Sequence, residues 1–412
     1  ILHIDGDSFF VSCELTRMPW LRGKPVVTGM DRGIASAMSK EAKALGISRG
    51  MRISDMKRIC PEIIILSSDY DMYTIYARRT YNIVRRYTEK VEEYSIDECF
   101  ADLTGCEQKL KISYEEIARK IQKDLYDYLD ITFSVGLSVN KIMAKIASKW
   151  NKPNGLTTIP RSNIFEYISK LPIGKVWGIG PSSTLMLKKL GIVTAGDFAT
   201  KDRMWVSEHC DKSLRHIYEE LNGNYLMSLE ESIDADDQKS IQKTGTFRPP
   251  SRDRNFVFSE LSQNVENACI KLRAHGMLAT HVSFFIKTQE FNYISADFSL
   301  SEAISTPQEI IAHIVPHFNK LFRPELLYRA TGVTLSGLRP KDKITPGLFG
   351  PDVVAEKSKS IYETIDRLEH RFGRHNIFLG SSFKAMKSEK GSEKYVRAEV
   401  RKFSLPILGE VW

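Results

Sequence analysis

Three carboxylates offer the plainest chemistry in this chain. Asp5 follows the largely apolar run Ile1–Ile4 and opens Asp5-Gly6-Asp7-Ser8-Phe9-Phe10, while Asp97 and Glu98 are adjacent in Ser95-Ile96-Asp97-Glu98. Carboxylates held on short strands suit hard divalent cations, which take oxygen ligands. A pair of such cations activates a hydroxyl nucleophile and stabilises a leaving pyrophosphate. If the two segments meet in space, the chemistry is nucleotidyl transfer. If they do not, these are surface-turn acids.

The elements between them must bring them together. Ile1–Ile4 is a short strand, and Val91–Ile96 and Cys99–Leu103 alternate as an antiparallel pair around an Asp97-Glu98 tip. Tyr70–Tyr87 repeats apolar residues at Ile75/Tyr76, Ile83/Val84 and Tyr87, one face of a helix. Ser113–Leu129 is a second amphipathic helix, with Ile117, Ile121, Leu125 and Leu129 in step, and Ile131–Ser138 is rich in β formers. The order β-α-β-β-α-β predicts an α+β fold with a ferredoxin-like sheet. Its helices cover one face and leave the other for a bound duplex. A small α/β insertion, about Gly23–Leu66, follows the first strand. It holds strand-like Lys24–Thr28 and Gly33–Met38, then a helix Lys40–Leu45 capped by Ser39 and stopped by Gly46. A second short helix, capped by Ser54, ends before Pro61.

A further unit begins near Phe165. In Val176-Trp177-Gly178-Ile179-Gly180-Pro181 the glycines make a tight turn whose bare amides can approach a phosphate. A packing turn in a helical subdomain is the alternative. Asp234-Ala-Asp-Asp-Gln-Lys239 is a polar linker; helix-like Ser259–His275 and strand-like His281–Lys287 and Thr331–Leu335 then read as another α+β domain. Residues 243–341 carry twelve Lys/Arg against eight Asp/Glu, an excess suited to a phosphate backbone. Lys341–Lys357 is Pro/Gly-rich and Ser358–Phe372 a polar helix. The last forty or so residues, rich in Lys, Glu and Ser, read as poorly ordered.

At 412 residues the chain exceeds one average domain, so about two to four are expected. A formal charge of +8 and a pI near 9.0 favour polyanionic partners. The six cysteines include no Cys-x-x-Cys pair, which argues against structural zinc and a disulfide framework and fits a reducing compartment. No apolar run approaches the roughly 20 residues needed to cross a bilayer. The chain begins with Ile rather than Met, so the natural start is expected to be missing. It opens directly on a core strand, which argues against a removed targeting segment.

Five motifs occur in order. They are Ile4–Phe10, Ser95–Glu98, Val135-Gly-Leu-Ser-Val-Asn-Lys141 with Ala144-Lys145-Ile146-Ala147, Lys152-Pro153-Asn154-Gly155, and Trp177-Gly-Ile-Gly180. Together they resemble the Y-family translesion DNA polymerases, from Ile1 to about Gly337. The first motifs look like the DinB type; Phe285-Ile-Lys-Thr288 and the tail after Lys341 look more like the UmuC type. The resemblance implies a right-hand polymerase. Its palm is 1–22 and 67–164, its fingers 23–66, its helix-hairpin-helix thumb 165–232. A linker at 233–241, a little finger at 242–341 and a UmuC-like tail at 342–412 follow.

On this resemblance Asp5, Asp97 and Glu98 are the catalytic metal ligands, with the Gly6 carbonyl, for two Mg²⁺ ions that Mn²⁺ can replace. Asp7 matches no direct ligand and is left as a residue that supports the ligands from behind or as a turn residue. Phe10 matches the steric gate, an aromatic face with no room for a 2′-hydroxyl, which selects dNTP by clash. Phe9, Lys40, Lys43 and Lys152 fall at the triphosphate; a place in the core is the other reading of Phe9. Lys40 and Lys43 stand where the family has Tyr and Arg, and lysine cannot offer arginine's bidentate fork. Ile34 and Ser36 match positions roofing the nascent base pair, where small side chains leave space for a damaged base. Gly178 and Gly180 are the turn expected to approach DNA; Lys141 and Lys145, at i, i+4 spacing, are expected to contact DNA phosphate or the triphosphate, with a solvated helix face as the alternative. Leu348 and Phe349 match the end of a sliding-clamp peptide. Primer–template DNA and dNTP are the implied partners. A UmuD-like accessory protein and a recombinase filament go with the tail, no membrane is involved, and the place is the cytoplasm or nucleoid.

Two other functions share some of these residues. A polymerase-like DNA-binding scaffold without catalysis needs none of the carboxylates. A Mg²⁺-dependent phosphatase is superficially matched by Asp5-Gly6-Asp7-Ser8, like the Asp-x-Asp loop of haloacid-dehalogenase enzymes, but needs a doubly wound sheet.

Overall fold

The strand predicted at the start of the chain is the middle of a sheet: β1 (Leu2–Gly6) is buried along its whole length, with two strands on either side. This computed structural model describes residues 1–230, 239–341, 353–372 and 377–392, which fall into two units, 1–232 and 233–412. After β1 come α1 (Phe9–Arg17) and a three-stranded sheet of β2 (Val26–Thr28), β3 (Ala37–Met38) and β4 (Ile64–Leu66) with α2 (Lys40–Ala44) and α3 (Ile53–Ile59). The strand predicted over 33–38 shrinks to Ala37–Met38, because Gly29 and Gly33 take φ of +116° and +69° and turn the chain. Ser39 caps α2 as expected, accepting from the Ala42 N–H at 3.2 Å. Ser54 does not cap α3; the helix starts at Ile53, and Arg52 precedes it without a side-chain cap.

Next come α4 (Tyr70–Arg85), the hairpin β5 (Val91–Ser95) and β6 (Glu98–Ala101), α5 (Cys106–Leu110), α6 (Tyr114–Leu129) and β7 (Phe133–Ser138). They are followed by α7 (Lys141–Trp150) and β8 (Leu156–Ile159). The sheet runs β5-β6-β1-β7-β8 and is antiparallel except between β7 and β8. Leu2 and Ile4 join Tyr73, Tyr76 and Val84 of α4 and Ile117, Ile121 and Leu125 of α6 in one core. A capping box of Ser113 and Glu116 starts α6. Ile75, expected on the apolar face of α4, is 40% exposed; the buried face runs through Met72, Tyr73, Tyr76 and Thr80.

The second sheet face, expected to stay open, is covered. There α7 lies against β1, β7 and β8. The approach requires a glycine: a Cβ on Gly136 would stand 2.1 Å from the Ala144 carbonyl oxygen and 2.2 Å from the Ser148 nitrogen. His3 points to this face, its Nδ1 2.7 Å from Ser148 Oγ. Residues Ile142, Met143 and Ile146 of α7 then share a core with a helical cluster. That cluster comprises α8 (Ile164–Ile168), α9 (Pro181–Lys189), α10 (Ala195–Ala199), α11 (Arg203–His209) and α12 (Lys212–Leu221).

The second unit is an antiparallel sheet of β9 (Ser240–Ser251), β10 (Met277–Thr288), β11 (Tyr293–Ile304) and β12 (Tyr328–Ser336) in the order β11-β10-β12-β9. Its core takes Val257, Leu261 and Val265 from α13 (Arg254–Ala274) and Ile310, Ile314 and Phe318 from α14 (Pro307–Leu321). The start of α13 precedes the predicted Ser259 because Asp253 caps it, accepting from the Asn255 N–H at 2.8 Å. Beyond the sheet lie α15 (Val353–Phe372), longer than the predicted Ser358–Phe372, and α16 (Phe383–Ser392). Part of the tail read as poorly ordered is packed. There the Ala385 N–H donates to Ser259 Oγ at 2.9 Å; before it, in the helix α15, Asp366 accepts two hydrogen bonds from Arg273 of α13, each 2.7 Å. Most of the linker read at 234–239, and Leu348 and Phe349, lie outside the described residues. All six cysteines are free, and among the described residues no helix is long and apolar enough to cross a membrane.

Candidate active site

Strand register builds the site. Across β1 and β6, Asp5 stands opposite Glu98; Ile96 and Asp97 form the turn beside it. The Gly6 N–H donates to the Asp97 carbonyl at 2.9 Å and fastens that turn to the end of β1. Gly6 has no room for a side chain, since a Cβ would lie 2.7 Å from the Phe9 ring. Asp7 turns the other way. Its Oδ1 accepts from Ser134 Oγ at 2.7 Å and its Oδ2 from the Asn154 N–H at 2.8 Å, which draws the Lys152-Pro153-Asn154-Gly155 loop to the same place.

Two lysines meet the carboxylates there. Lys152 Nζ is 2.5 Å from Asp5 Oδ1, and Lys145 Nζ is 2.6 Å from Glu98 Oε2. Burial pushes the Asp5 carboxyl up to about 6, Lys152 opposes the rise, and neighbouring Glu98 adds to it. Asp97 is not gathered with these two: its carboxylate accepts from Ser95 Oγ at 2.7 Å. Among the described residues no three His, Cys, Asp or Glu side chains are grouped closely enough to hold a metal. The donors still fit a hard divalent cation. Asp5 and Glu98 face each other where burial penalises the charge of Asp5, Asp97 is the residue before Glu98, and a cation relieves the repulsion between them.

Phe10 is the second residue of α1, its ring stacked on Tyr73, centroids 4.5 Å apart at 13°. Phe9 does not face the site; its ring is buried in the sheet core with Leu2 and Ile4. Lys43 Nζ donates to Ser8 Oγ at 2.9 Å, which brings the α2 lysine to the turn between β1 and α1. Lys40 stands apart, its side chain 85% exposed and paired only loosely with Glu41. Ile34 and Ser36 are half-buried near the edge of the small sheet, Ile34 bridged to Arg52 and Ser36 bonded to Thr28.

The structure places Lys141 and Lys145 in the interior. Lys141 Nζ sits between both oxygens of Glu92, at 2.8 and 2.7 Å, and Lys141 and Lys145 each have side chains only 6% exposed. Rings enclose them: Lys145 Nζ is 4.2 Å from the Tyr94 centroid and 5.1 Å from Trp177, and Lys141 Nζ is 5.0 Å from Phe100. Neither is a surface cation for DNA. Trp177, whose Nε1 donates to Tyr94 OH at 3.0 Å, places the following glycine turn against this cluster. Gly178 takes φ +89° and a Cβ there would lie 2.8 Å from Ile217, so it serves packing; Gly180 is open and precedes α9.

Known proteins resemble this chain in sequence and in fold. Residues 4–149 match the impB/mucB/samB family and residues 238–348 the C-terminal domain of that family. A DNA polymerase IV of Desulfatibacillum aliphaticivorans is 33% identical over 388 residues, 92% of this chain and 95% of the relative. A DNA polymerase IV of Lactococcus lactis subsp. cremoris is 32% identical over 348 residues, 82% of this chain and 93% of the relative. In fold, the chain is similar to a Y-family DNA polymerase chimera (TM-score 0.71, 23% identity, 82% of this chain and 99% of that one). It is also similar to an insertion ternary complex of Dbh DNA polymerase (TM-score 0.53, 24% identity, 82% and 99%).

Proposed function

The chain belongs to the impB/mucB/samB family of Y-family translesion DNA polymerases, and from that membership we propose which of its residues run DNA synthesis. It is a DNA-directed DNA polymerase of the translesion type and depends on divalent metal. The further reading is ours. The metal is Mg²⁺, with Mn²⁺ as substitute, held by Asp5, Asp97, Glu98 and the Gly6 carbonyl. Bound there, two such ions lower the barrier to attack of a primer 3′-hydroxyl on the α-phosphate of a dNTP. Asp5 and Glu98 are prepositioned by their register, so little side-chain entropy is lost when they bind.

Lys152 and Lys43 receive the triphosphate. In this structure they hold Asp5 and Ser8, so each ammonium is kept at the site and is free to exchange partners when a polyanion enters. Phe10 bars the 2′-hydroxyl. The sheet around β1 with α1, α4, α6 and α7 serves as palm, residues 23–66 as fingers, the helices of 165–232 as thumb and 242–341 as little finger. Primer–template DNA and dNTP are the ligands, and the likeness to a DNA polymerase ternary complex supports this. A clamp, an accessory subunit or a recombinase filament, and a cytoplasmic or nucleoid location, rest on sequence likeness alone.

The pairing of Asp5 with Glu98 beside Lys152 carries the reading. Primer extension with Mg²⁺ and dNTPs, tested beside hydrolysis of a small phosphoester, decides it. Template-dependent extension without hydrolysis is expected. Hydrolysis without extension, or neither, overturns the reading.

A further inference from the structure

The ring assigned to sugar selection does not stand on soft ground. Phe10 lies flat on Tyr73, and Tyr70 presents its edge to Phe10 at 5.5 Å and 75° and to Tyr73 at 5.7 Å and 71°. Tyr73 has no exposed surface. Its hydroxyl donates to Glu14 Oε1 at 2.7 Å, and Glu14 is itself 4% exposed. Glu14 follows Phe10 by four residues on α1, so the two lie on one helix face. The ring that backs Phe10 is thereby tied to the helix that carries Phe10.

Contacts further along hold the two helices in register. Thr16 Oγ1 and Tyr76 OH are 2.6 Å apart, and Arg17 donates to Asp69 Oδ2 at 3.2 Å. Asp69 caps α4, accepting from the Met72 N–H at 3.0 Å. A phenylalanine at position 73 would stack on Phe10 equally well and would spare the fold a buried carboxylate. What the Tyr73–Glu14 pair adds is a fixed position along and about the α4 axis. Burial also raises both groups above their ordinary ranges, so the phenol keeps the proton it donates.

We propose that Tyr73, held by Glu14, is a positioning residue for sugar selection: it sets the depth of the Phe10 ring beneath the C2′ of the incoming nucleotide and prevents its retreat. A gate that works by clash discriminates only as far as its ring cannot yield. The inference rests on Phe10 being the gate.

The test measures kcat/KM for a dNTP and the matching rNTP on one primer–template in wild type and four variants. Tyr73→Leu opens space behind Phe10, and the dNTP/rNTP ratio is expected to fall about tenfold, equivalent to about 1.4 kcal/mol, because ribonucleotide use rises. Tyr73→Phe with Glu14→Leu removes both hydrogen-bonding partners together, which guards against misfolding from a stranded acid; the ratio is expected to fall severalfold. Glu14→Gln keeps an acceptor and is expected to hold the wild-type ratio. Phe10→Ala is expected to abolish discrimination. An unchanged ratio in Tyr73→Leu and in the double variant, with discrimination lost in Phe10→Ala, overturns the backing role alone. Discrimination intact in Phe10→Ala overturns the gate assignment and the inference with it. A general weakening of the fold would depress both substrates together and leave the ratio unmoved, which also counts against the proposal.

Discussion

Lys141→Met separates a lysine that serves the fold from one that serves DNA. In the wild type its ammonium is shared by both Glu92 oxygens at 2.8 and 2.7 Å, with side chains 6% and 9% exposed. Methionine fills similar space and leaves Glu92 buried with one remaining donor named here, the Glu230 N–H at 2.9 Å. Breaking a buried ion pair from one side costs about 3–5 kcal/mol. The surviving hydrogen bond places the expected loss near the lower end, about 3 kcal/mol. Pairing Lys141→Met with Glu92→Leu removes both charges, and most of the loss should return. Urea denaturation reads the stability, and the slope of log affinity for primer–template against log salt reads the phosphate contacts. Stability lost in the single variant, largely recovered in the double, with an unchanged salt slope, is the expected result. A single variant as stable as wild type whose salt slope is shallower by about 1 would refute the reasoning, because that is the signature of a lost phosphate contact.

Two further outcomes follow from the geometry. Lys43→Ala should raise the KM for dNTP about ten- to a hundredfold, the worth of a charge-assisted hydrogen bond, with a smaller change in kcat and with Lys43→Arg close to wild type; a KM unchanged in steady-state extension would remove Lys43 from the triphosphate. Burial raises the Glu220 carboxyl above the ordinary 4.5, although it accepts from the Met227 and Ile142 N–H groups. The folded form therefore keeps this proton to higher pH than the unfolded chain. Its stabilising contribution is full below 4.5 and is lost as pH rises through the folded value. Glu220→Gln should erase that dependence, so the stability of wild type relative to the variant should fall with rising pH in denaturant melts; a difference that does not vary with pH contradicts it.

The site was legible in sequence where chemistry and local pattern coincided. Alternation around the Asp97-Glu98 tip and an apolar first strand were enough to expect both segments on strands; the register that sets Asp5 opposite Glu98 is seen only in the fold. The Ser39 cap of α2 and the turn at Gly46 were readable for the same reason: each is settled by a few consecutive residues. What escaped depends on partners distant in the chain. Asp7 gained its role from Ser134 and Asn154, 127 and 147 positions away. Lys141 and Lys145 looked like a phosphate-binding face because i, i+4 spacing says nothing about what covers it; Glu92, Glu98 and Trp177 do. The packed stretch at 377–387 was hidden by the polar residues that follow it; its own Leu379, Ala385 and Met386 pack within the second unit, and the Ala385 N–H donates to Ser259 of α13. The covered second sheet face turns on Gly136, whose missing side chain admits α7.

The central claim is that Asp5, Asp97 and Glu98 are the charge that drives nucleotidyl transfer. Single-turnover incorporation of one dNTP into a primer–template, with Mg²⁺ and again with Mn²⁺, tests it on Asp5→Asn, Asp97→Asn and Glu98→Gln, with primer–template affinity measured alongside. Each variant should lose at least about a hundredfold in the rate of incorporation while binding primer–template about as tightly as wild type. Incorporation at the wild-type rate in any one of the three would contradict its assignment, and in all three it would contradict the account.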